Sequence, residues 1–255
     1  MSRRKWSSPL TVAVTAVCTA FVCIATMMFS IYVPSTEGFF NIGDSMVFLS
    51  ALLFGPFVGA FAGGVGSMLA DLLLAYPHYA PGTLVIKACE GYIVGLLIRN
   101  NPRFTSKVHW KFFTSLLGIV AGILLGAVGM IRYSGQTELT LGGPTLGSAS
   151  FSFLLPAEFW LILSVIVAFF IAAVGFVAEP EFGWTVFSVM IGGFTMVLGY
   201  FVYQMFFIGW LFNIQVVAIA EIPVNIGQMI VGATVALPVT KVIWRAFPHL
   251  RQSLK

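Results

Sequence analysis

The chain has 255 residues, is 59% hydrophobic and only 9% charged, and has a mean hydropathy of +0.98. A soluble domain of this length carries about 25% charged residues, so the composition leaves no room for a soluble catalytic domain and points to a chain dissolved in lipid. The net charge of +4 does not indicate nucleic-acid binding, because the basic residues sit at the ends of apolar runs and form no patch with interleaved aromatics.

In hydrocarbon, backbone polar groups must bond within the protein, so spans are helices or closed barrels. Long apolar runs favour helices here, and strand alternation is not expected. Arg3-Arg4-Lys5 followed by the apolar stretch from Pro9 to Val33 resembles a signal peptide. The stretch exceeds an h-region of about 7–15 residues and lacks an A-x-A site, so it reads as an uncleaved first span. With about 20 residues per crossing, spans fall near 9–33, 45–56, 57–76, 82–99, 112–131, 158–178, 185–208 and 218–240, eight in all. Gly55-Pro56 interrupts the second and third. As a single helix, 45–76 would be about 48 Å long, too much for one crossing.

Orientation supports the split. With eight spans and both termini inside, the inner face holds Arg3, Arg4, Lys5, Arg99, Arg103, Lys107, Lys111, Lys241, Arg245, Arg251 and Lys255, as the preference of Lys and Arg for the cytoplasmic side requires. Arg132 lies outside and Lys87 within a span. The inner loop around Glu179 and Glu181 carries no basic residue and is neutral in this test. The longest polar stretch, Ser134 to Ala157 with LGGPTLGSAS, lies outside.

Small residues recur every four positions at Gly55, Gly59, Gly63 and Ser67, leading to Asp71, and again at Gly118, Gly122 and Gly126. Such stripes let helix backbones approach closely, and plain helix packing is the expected role. Ala16 and Ala20, with Ala13 beside them, make a weaker small-residue face on the first span, suited to a partner subunit. Cys18, Cys23 and Cys89 lie in apolar runs without a CxxC pair and read as small buried hydrophobes.

Ionisable residues at membrane depth are costly and face a cavity or a partner. Here they are Asp44, Asp71, Lys87, Glu90 and Glu221, with Glu158 at a span start. Lys87 and Glu90 share a helix face, and serve either a site or an internal ion pair. Asp71 is expected to pair with Lys87 as a structural group. Asp44 is either a helix N-cap or a site residue, next to Asn41. Glu221, Asn225 and Gln228 form one polar stripe on the last span, and Tyr200 and Gln204 do likewise on the seventh. All lie toward the outer ends of their spans, where their convergence makes a polar pocket open to the outside. Tyr76, His78 and Tyr79 read as interfacial-belt residues.

No G-x-x-x-x-G-K-[ST] loop, H-E-x-x-H or G-x-S-x-G occurs, so ATP binding by a P-loop, zincin chemistry and a hydrolase elbow have no support. No cofactor or metal site is expected, and the chain does not read as an enzyme.

The stretches FFNIGDSMVFLSALLFGPFVGAFAGGVGSMLADLL (39–73), YAPGTLVIKACEGYIVG (79–95), GYFVYQMFF (199–207) and AEIPVNIGQMIVG (220–232) resemble the substrate-binding S components of energy-coupling factor (ECF) transporters, closest to the riboflavin-type group. The resemblance implies an all-α membrane fold of six helices, with a vitamin-like substrate held near the outer face. Carried onto this chain, it points to Asn41, Asp44, Lys87, Glu90, Tyr200, Gln204, Glu221, Asn225 and Gln228 as the substrate-binding set. It implies a transmembrane T component and two cytoplasmic ATPases as partners, with Ala13, Ala16 and Ala20 on the T-component face. S components are thought to topple in the membrane to deliver substrate inward.

The chain departs from that pattern in its span count. One transmembrane domain is expected, with a core of 1–110 and 179–255 and an inserted helical hairpin and outer loop at 111–178. The expected function is the high-affinity binding subunit of an ATP-driven vitamin uptake transporter in a prokaryotic cell membrane, for riboflavin or a related small heterocycle. The alternative is a stand-alone proton-coupled transporter working through Glu221 or Glu90.

Overall fold

The computed structural model describes residues 9–33, 38–100, 107–132, 134–141, 149–177, 180–213, 218–248 and 250. Arg3, Arg4, Lys5, Arg103, Glu179, Arg251, Lys255 and residues 142–148 lie outside the described residues. A helix occupies each of the eight stretches expected to cross: α1 (Pro9–Met28), α2 (Asp44–Phe54), α3 (Pro56–Leu73), α4 (Ala80–Arg99), α5 (Lys107–Arg132), α6 (Ala157–Val177), α7 (Pro180–Tyr203), and, after the short α8 (Gly209–Phe212), α9 (Glu221–Ala246).

Six of the described helices are long and apolar enough to cross a membrane: α1, α3, α4, α5, α7 with its extension to Phe212, and α9. In α6 the qualifying apolar stretch is shorter, Ala157–Ala173. At 11 residues, α2 is about 16 Å long, roughly half a bilayer core, so it does not cross alone.

Two β-hairpins depart from the purely helical expectation. Ile31–Val33 (β1) pairs antiparallel with Gly38–Phe40 (β2), ending α1 at Met28, five residues short of the expected Val33. Gly135–Leu141 (β3) pairs with Ala149–Leu155 (β4) inside the expected polar loop. The reason is local: IYV, GFF, GQTELTL and ASFSFLL concentrate β-branched and aromatic residues that suit a pleated strand.

The chain forms two compact units, residues 1–100 with 185–255, and residues 101–184. In the second, α5 packs on α6 through its glycine stripe. A Cβ on Gly118 would lie 2.5 Å from the Ala168 carbonyl oxygen, and one on Gly122 would lie 2.8 Å from that of Ser164.

The first unit is built by the same device. Gly55 holds φ 88° and ψ −173°, and Pro56 opens α3 immediately after it. Only glycine adopts that backbone at little cost, and the chain folds back on itself there. A Cβ on Gly59 would lie 2.6 Å from the Ala51 Cβ and 2.8 Å from the Gly91 carbonyl oxygen; one on Gly63 would lie 2.9 Å from Val47 and 2.7 Å from the Lys87 carbonyl. Residue numbers rise on α3 as they fall on α2 and α4, so α3 runs antiparallel to both. A Cβ on Gly192 would lie 3.1 Å from the Glu90 carbonyl, and one on Gly199 would lie 2.9 Å from Ile86, so α7 also runs antiparallel to α4. Gly66 faces Thr19 and seats α1 on α3, and Gly232 faces Asp44 and seats α9 on α2.

These directions put the C-terminal ends of α4 and α9 on the same side of the unit, with Arg99 on one and Lys241 and Arg245 on the other. The polar residues collect at the opposite end of the unit. Cys89 is exposed, unlike buried Cys18, because position 89 falls on the outer face of α4.

Close approach makes the glycines stringent. Gly59→Val is expected to lower stability by about 1–3 kcal/mol or more, as overpacking does. Gly227→Ala, whose Cβ would touch only Phe40 at 3.4 Å, is expected to be neutral or to stabilise by up to about 1 kcal/mol through helix propensity. Thermal unfolding in detergent followed by circular dichroism checks both.

Candidate functional site

Two sequence stretches build most of the site. In NIGD, the Asn41 side chain accepts a hydrogen bond from the Gly43 amide at 2.9 Å, an Asx turn that starts α2. A Cβ on Gly43 would collide with Thr26 and lie 2.9 Å from Asn41 Oδ1, so the turn sits tight against α1. The Asn41 amide donates to Gln228 Oε1 at 2.7 Å, and Gln228 Nε2 donates to Asn225 Oδ1 at 2.9 Å. In AEIPVNIGQ, Glu221, Asn225 and Gln228 share the inward face of α9, and all three are buried.

Asp44 makes no N-cap bond. Its carboxylate pairs with Lys87, which also lies 3.0 Å from Glu90 Oε2. The three side chains are 0–3% exposed. Lys87 Nζ stands 5.8 Å over the Tyr200 ring. The expected Asp71–Lys87 ion pair does not form, because the ammonium is already shared between Asp44 and Glu90. Asp71 instead bonds the Thr83 hydroxyl, which accepts from Tyr200 Oη at 3.0 Å.

A turn at the end of α3 sets the upper wall. The Tyr76 amide donates to the Asp71 carbonyl at 2.8 Å and that of Ala75 to Leu72 at 3.4 Å, with Ala75 at φ 65°. This is a Schellman arrangement with alanine in the place that favours glycine. It sets Tyr76 against Phe39, ring centroids 4.8 Å apart. Burial pushes the Tyr76 phenol above its ordinary value, so this ring stays neutral. Gln204, in a π-helical turn that extends α7, donates to Tyr79 Oη at 3.0 Å.

These elements enclose a pocket lined by Thr26, Gly38, Phe39, Asn41, Ser67, Asp71, Tyr79, Thr83, Lys87, Tyr200, Glu221, Asn225 and Gln228, with a volume of about 30 Å³. Of the nine expected site residues, six line it: Asn41, Lys87, Tyr200, Glu221, Asn225 and Gln228. Asp44 and Glu90 lie behind Lys87, and Gln204 lies behind Tyr79.

Among the lining residues not expected, Tyr79 is 4% exposed and belongs to the pocket wall, contrary to a belt role. Tyr79, Thr83 and Lys87 recur every four residues from the N-cap of α4 onward, a stripe the sequence displays. Asp71 ends the Gly59, Gly63, Ser67 stripe and follows Ser67 into the pocket. Thr26, Gly38 and Phe39 left no such signal, because a helix end and a hairpin bring them in. Ala13, Ala16 and Ala20 are all exposed on α1, outside the pocket.

The described helices thus make a multi-pass membrane unit with a buried, mixed-polarity pocket at one end. The family described as ECF-type riboflavin transporter, S component, matches residues 6–137, and this chain belongs to that family of vitamin-type substrate-binding transporter subunits. An uncharacterized Pyrococcus woesei protein from a gap 3' region is 44% identical over 110 residues, 43% of this chain and 68% of its own length. The thiamine precursor transporter HmpT of Lactococcus lactis subsp. cremoris is 28% identical over 120 residues, 46% of this chain and 66% of its own length.

The ion cluster gives a direct test. Lys87→Met leaves two buried carboxylates without their cation, and a loss of about 3–5 kcal/mol is expected. Adding Asp44→Asn and Glu90→Gln to Lys87→Met is expected to recover much of the loss, read from chemical or thermal unfolding of the three proteins side by side.

Proposed function

We propose that this chain captures a small vitamin-like heterocycle at the extracytoplasmic face and delivers it within an ATP-driven ECF uptake transporter. Its partners in this reading are a transmembrane T component and two cytoplasmic ATPases. The observation that carries the proposal is the pocket itself. Aromatic side chains from Phe39, Tyr79 and Tyr200 suit a flat ring, and the buried amides and carboxylate of Asn41, Gln228, Asn225 and Glu221 suit its polar edge. Such a mixture of apolar walls and a few fixed polar groups is what small-molecule sites use.

The orientation follows from charge. Arg99, Lys241 and Arg245 lie at the end of the unit away from the pocket, and basic residues favour the cytoplasm. The pocket then opens outward, and the termini lie inside. The exposed Ala13, Ala16 and Ala20 face on α1 is the proposed contact for the T component, since small residues admit a close-packed helix. Residues 111–178 are proposed as an insertion into a six-helix core, lying within the separate compact unit.

A cavity of about 30 Å³ has room for about one or two waters. A vitamin-sized ligand is larger than this space. The β2 strand contributes Gly38 and Phe39 to the pocket wall. Riboflavin, from the family description, and a thiamine precursor, from the Lactococcus relative, are the two candidate ligands.

Glu221→Ala and Asn225→Ala are each expected to weaken ligand affinity about tenfold, the cost of removing one buried hydrogen-bonding group. Titration calorimetry on the purified chain measures it. In proteoliposomes, uptake is expected only with the T component, the ATPases and ATP. Accumulation by the chain alone in a proton gradient contradicts the ATP-driven reading and selects proton coupling through Glu221 or Glu90.

A further inference from the structure

The charges around the pocket are unbalanced. Asp71 and Glu221 line it, Asp44 and Glu90 stand behind its wall, and Lys87 is the one basic residue among the lining groups. Lys87 is already committed to Asp44 and Glu90, so its ammonium is not free to hold an anion. Asp71 has the Thr83 hydroxyl as a partner but no cation: it is 4% exposed, forms no ion pair among the described residues, and its Oδ2 has no hydrogen-bond partner. Asn225 Nδ2, on a side chain 1% exposed, likewise has none. A buried carboxylate oxygen and a buried amide N–H, both on the pocket wall and both unsatisfied, are costly unless a ligand meets them.

We infer that the pocket selects a basic nitrogen heterocycle, one that carries a positive charge with an N–H or ring-cation edge for Asp71 and a hydrogen-bond acceptor for Asn225, over a neutral flavin. The inference rests on the capture reading above and narrows it. In a low-dielectric site, a ligand cation gains from Asp71 and the surrounding acids together. A neutral ring leaves the Asp71 carboxyl without a charge partner, and an anion meets the two lining acids, Asp71 and Glu221. The aromatic rings of Tyr79, Tyr200 and Phe39 are compatible with the same choice, since ring faces attract cations.

The test is calorimetric titration of the full chain in detergent at neutral pH with three probes: thiamine, a permanent cation; riboflavin, neutral; and nicotinate, an anion. Asp71→Asn, which removes the charge at constant size, and Asp71→Glu, which keeps it, are titrated beside the wild type. Circular dichroism and the unfolding midpoint establish that each is folded. The expected result is thiamine binding at least about tenfold tighter than either other probe, a loss of about ten- to a hundredfold for thiamine in Asp71→Asn, and partial recovery in Asp71→Glu. Riboflavin binding as tightly as thiamine or more so, with Asp71→Asn unchanged, overturns the charge selection and leaves the capture reading standing. A folded wild type that binds none of the three overturns the inference and counts against capture as well.

Discussion

An ammonium buried among apolar helices is tolerable only when its charge is matched, and Lys87 is matched twice. Asp44 reaches it from the start of α2, and Glu90 from one turn along α4. The Asp44 contact fixes the depth of α2 against α4, and with it the position of the NIGD turn just before α2. From that turn Asn41 reaches Gln228, and Gln228 reaches Asn225. The amide wall of the pocket is therefore held in place by an ion cluster on its far side. The cluster's net contribution to stability is small, because the desolvation of three charges offsets most of their attraction.

Close backbone approach makes such a cluster geometrically feasible. Gly59 and Gly63 set α3 against α2 on one side and α4 on the other, and Gly232 sets α9 against Asp44. Larger residues at these points would push α2, α4 and α9 apart and separate Asp44 from Lys87. The glycine stripes and the ionic residues are thus one device: small residues create the proximity, and charges fix the register. The lipid-facing surface is otherwise plain. Phe57, Phe61, Val85 and Leu198 are widely exposed, as expected where hydrocarbon is the solvent.

Much of this is legible in the sequence. Apolar run lengths mark all of the described α-helices except the short α8, and Gly55-Pro56 marks the sharp return between α2 and α3. The polar stripe of Glu221, Asn225 and Gln228 is readable because α-helical spacing places those residues on one face. The partner of Lys87 is not readable. Asp44 and Asp71 are both plausible acids, and only the antiparallel packing of α3 and the depth of α2 decide for Asp44. Tyr79 misleads for a related reason: an aromatic at a helix start looks interfacial until the preceding turn is known to fold it inward. The strands leave little trace because their alternation is brief and lies between strongly apolar helices. Membership of the S-component family agrees with the resemblance carried by NIGD, LLFGP and AEIPVNIGQ. Each of these stretches has a physical role in the fold: NIGD forms an Asx turn, LLFGP a glycine fold-back and AEIPVNIGQ an amide wall.

In the proposed role this pocket holds one small molecule. Native mass spectrometry of the chain, purified in mild detergent from the membrane in which it is made, tests it most directly. The predicted result is a single heterocyclic ligand at one per chain, absent from Asn225→Leu, which keeps the size of the side chain and removes its hydrogen bonds. A ligand retained equally by both proteins, or lipid as the sole bound species in the folded wild type, would contradict the claim.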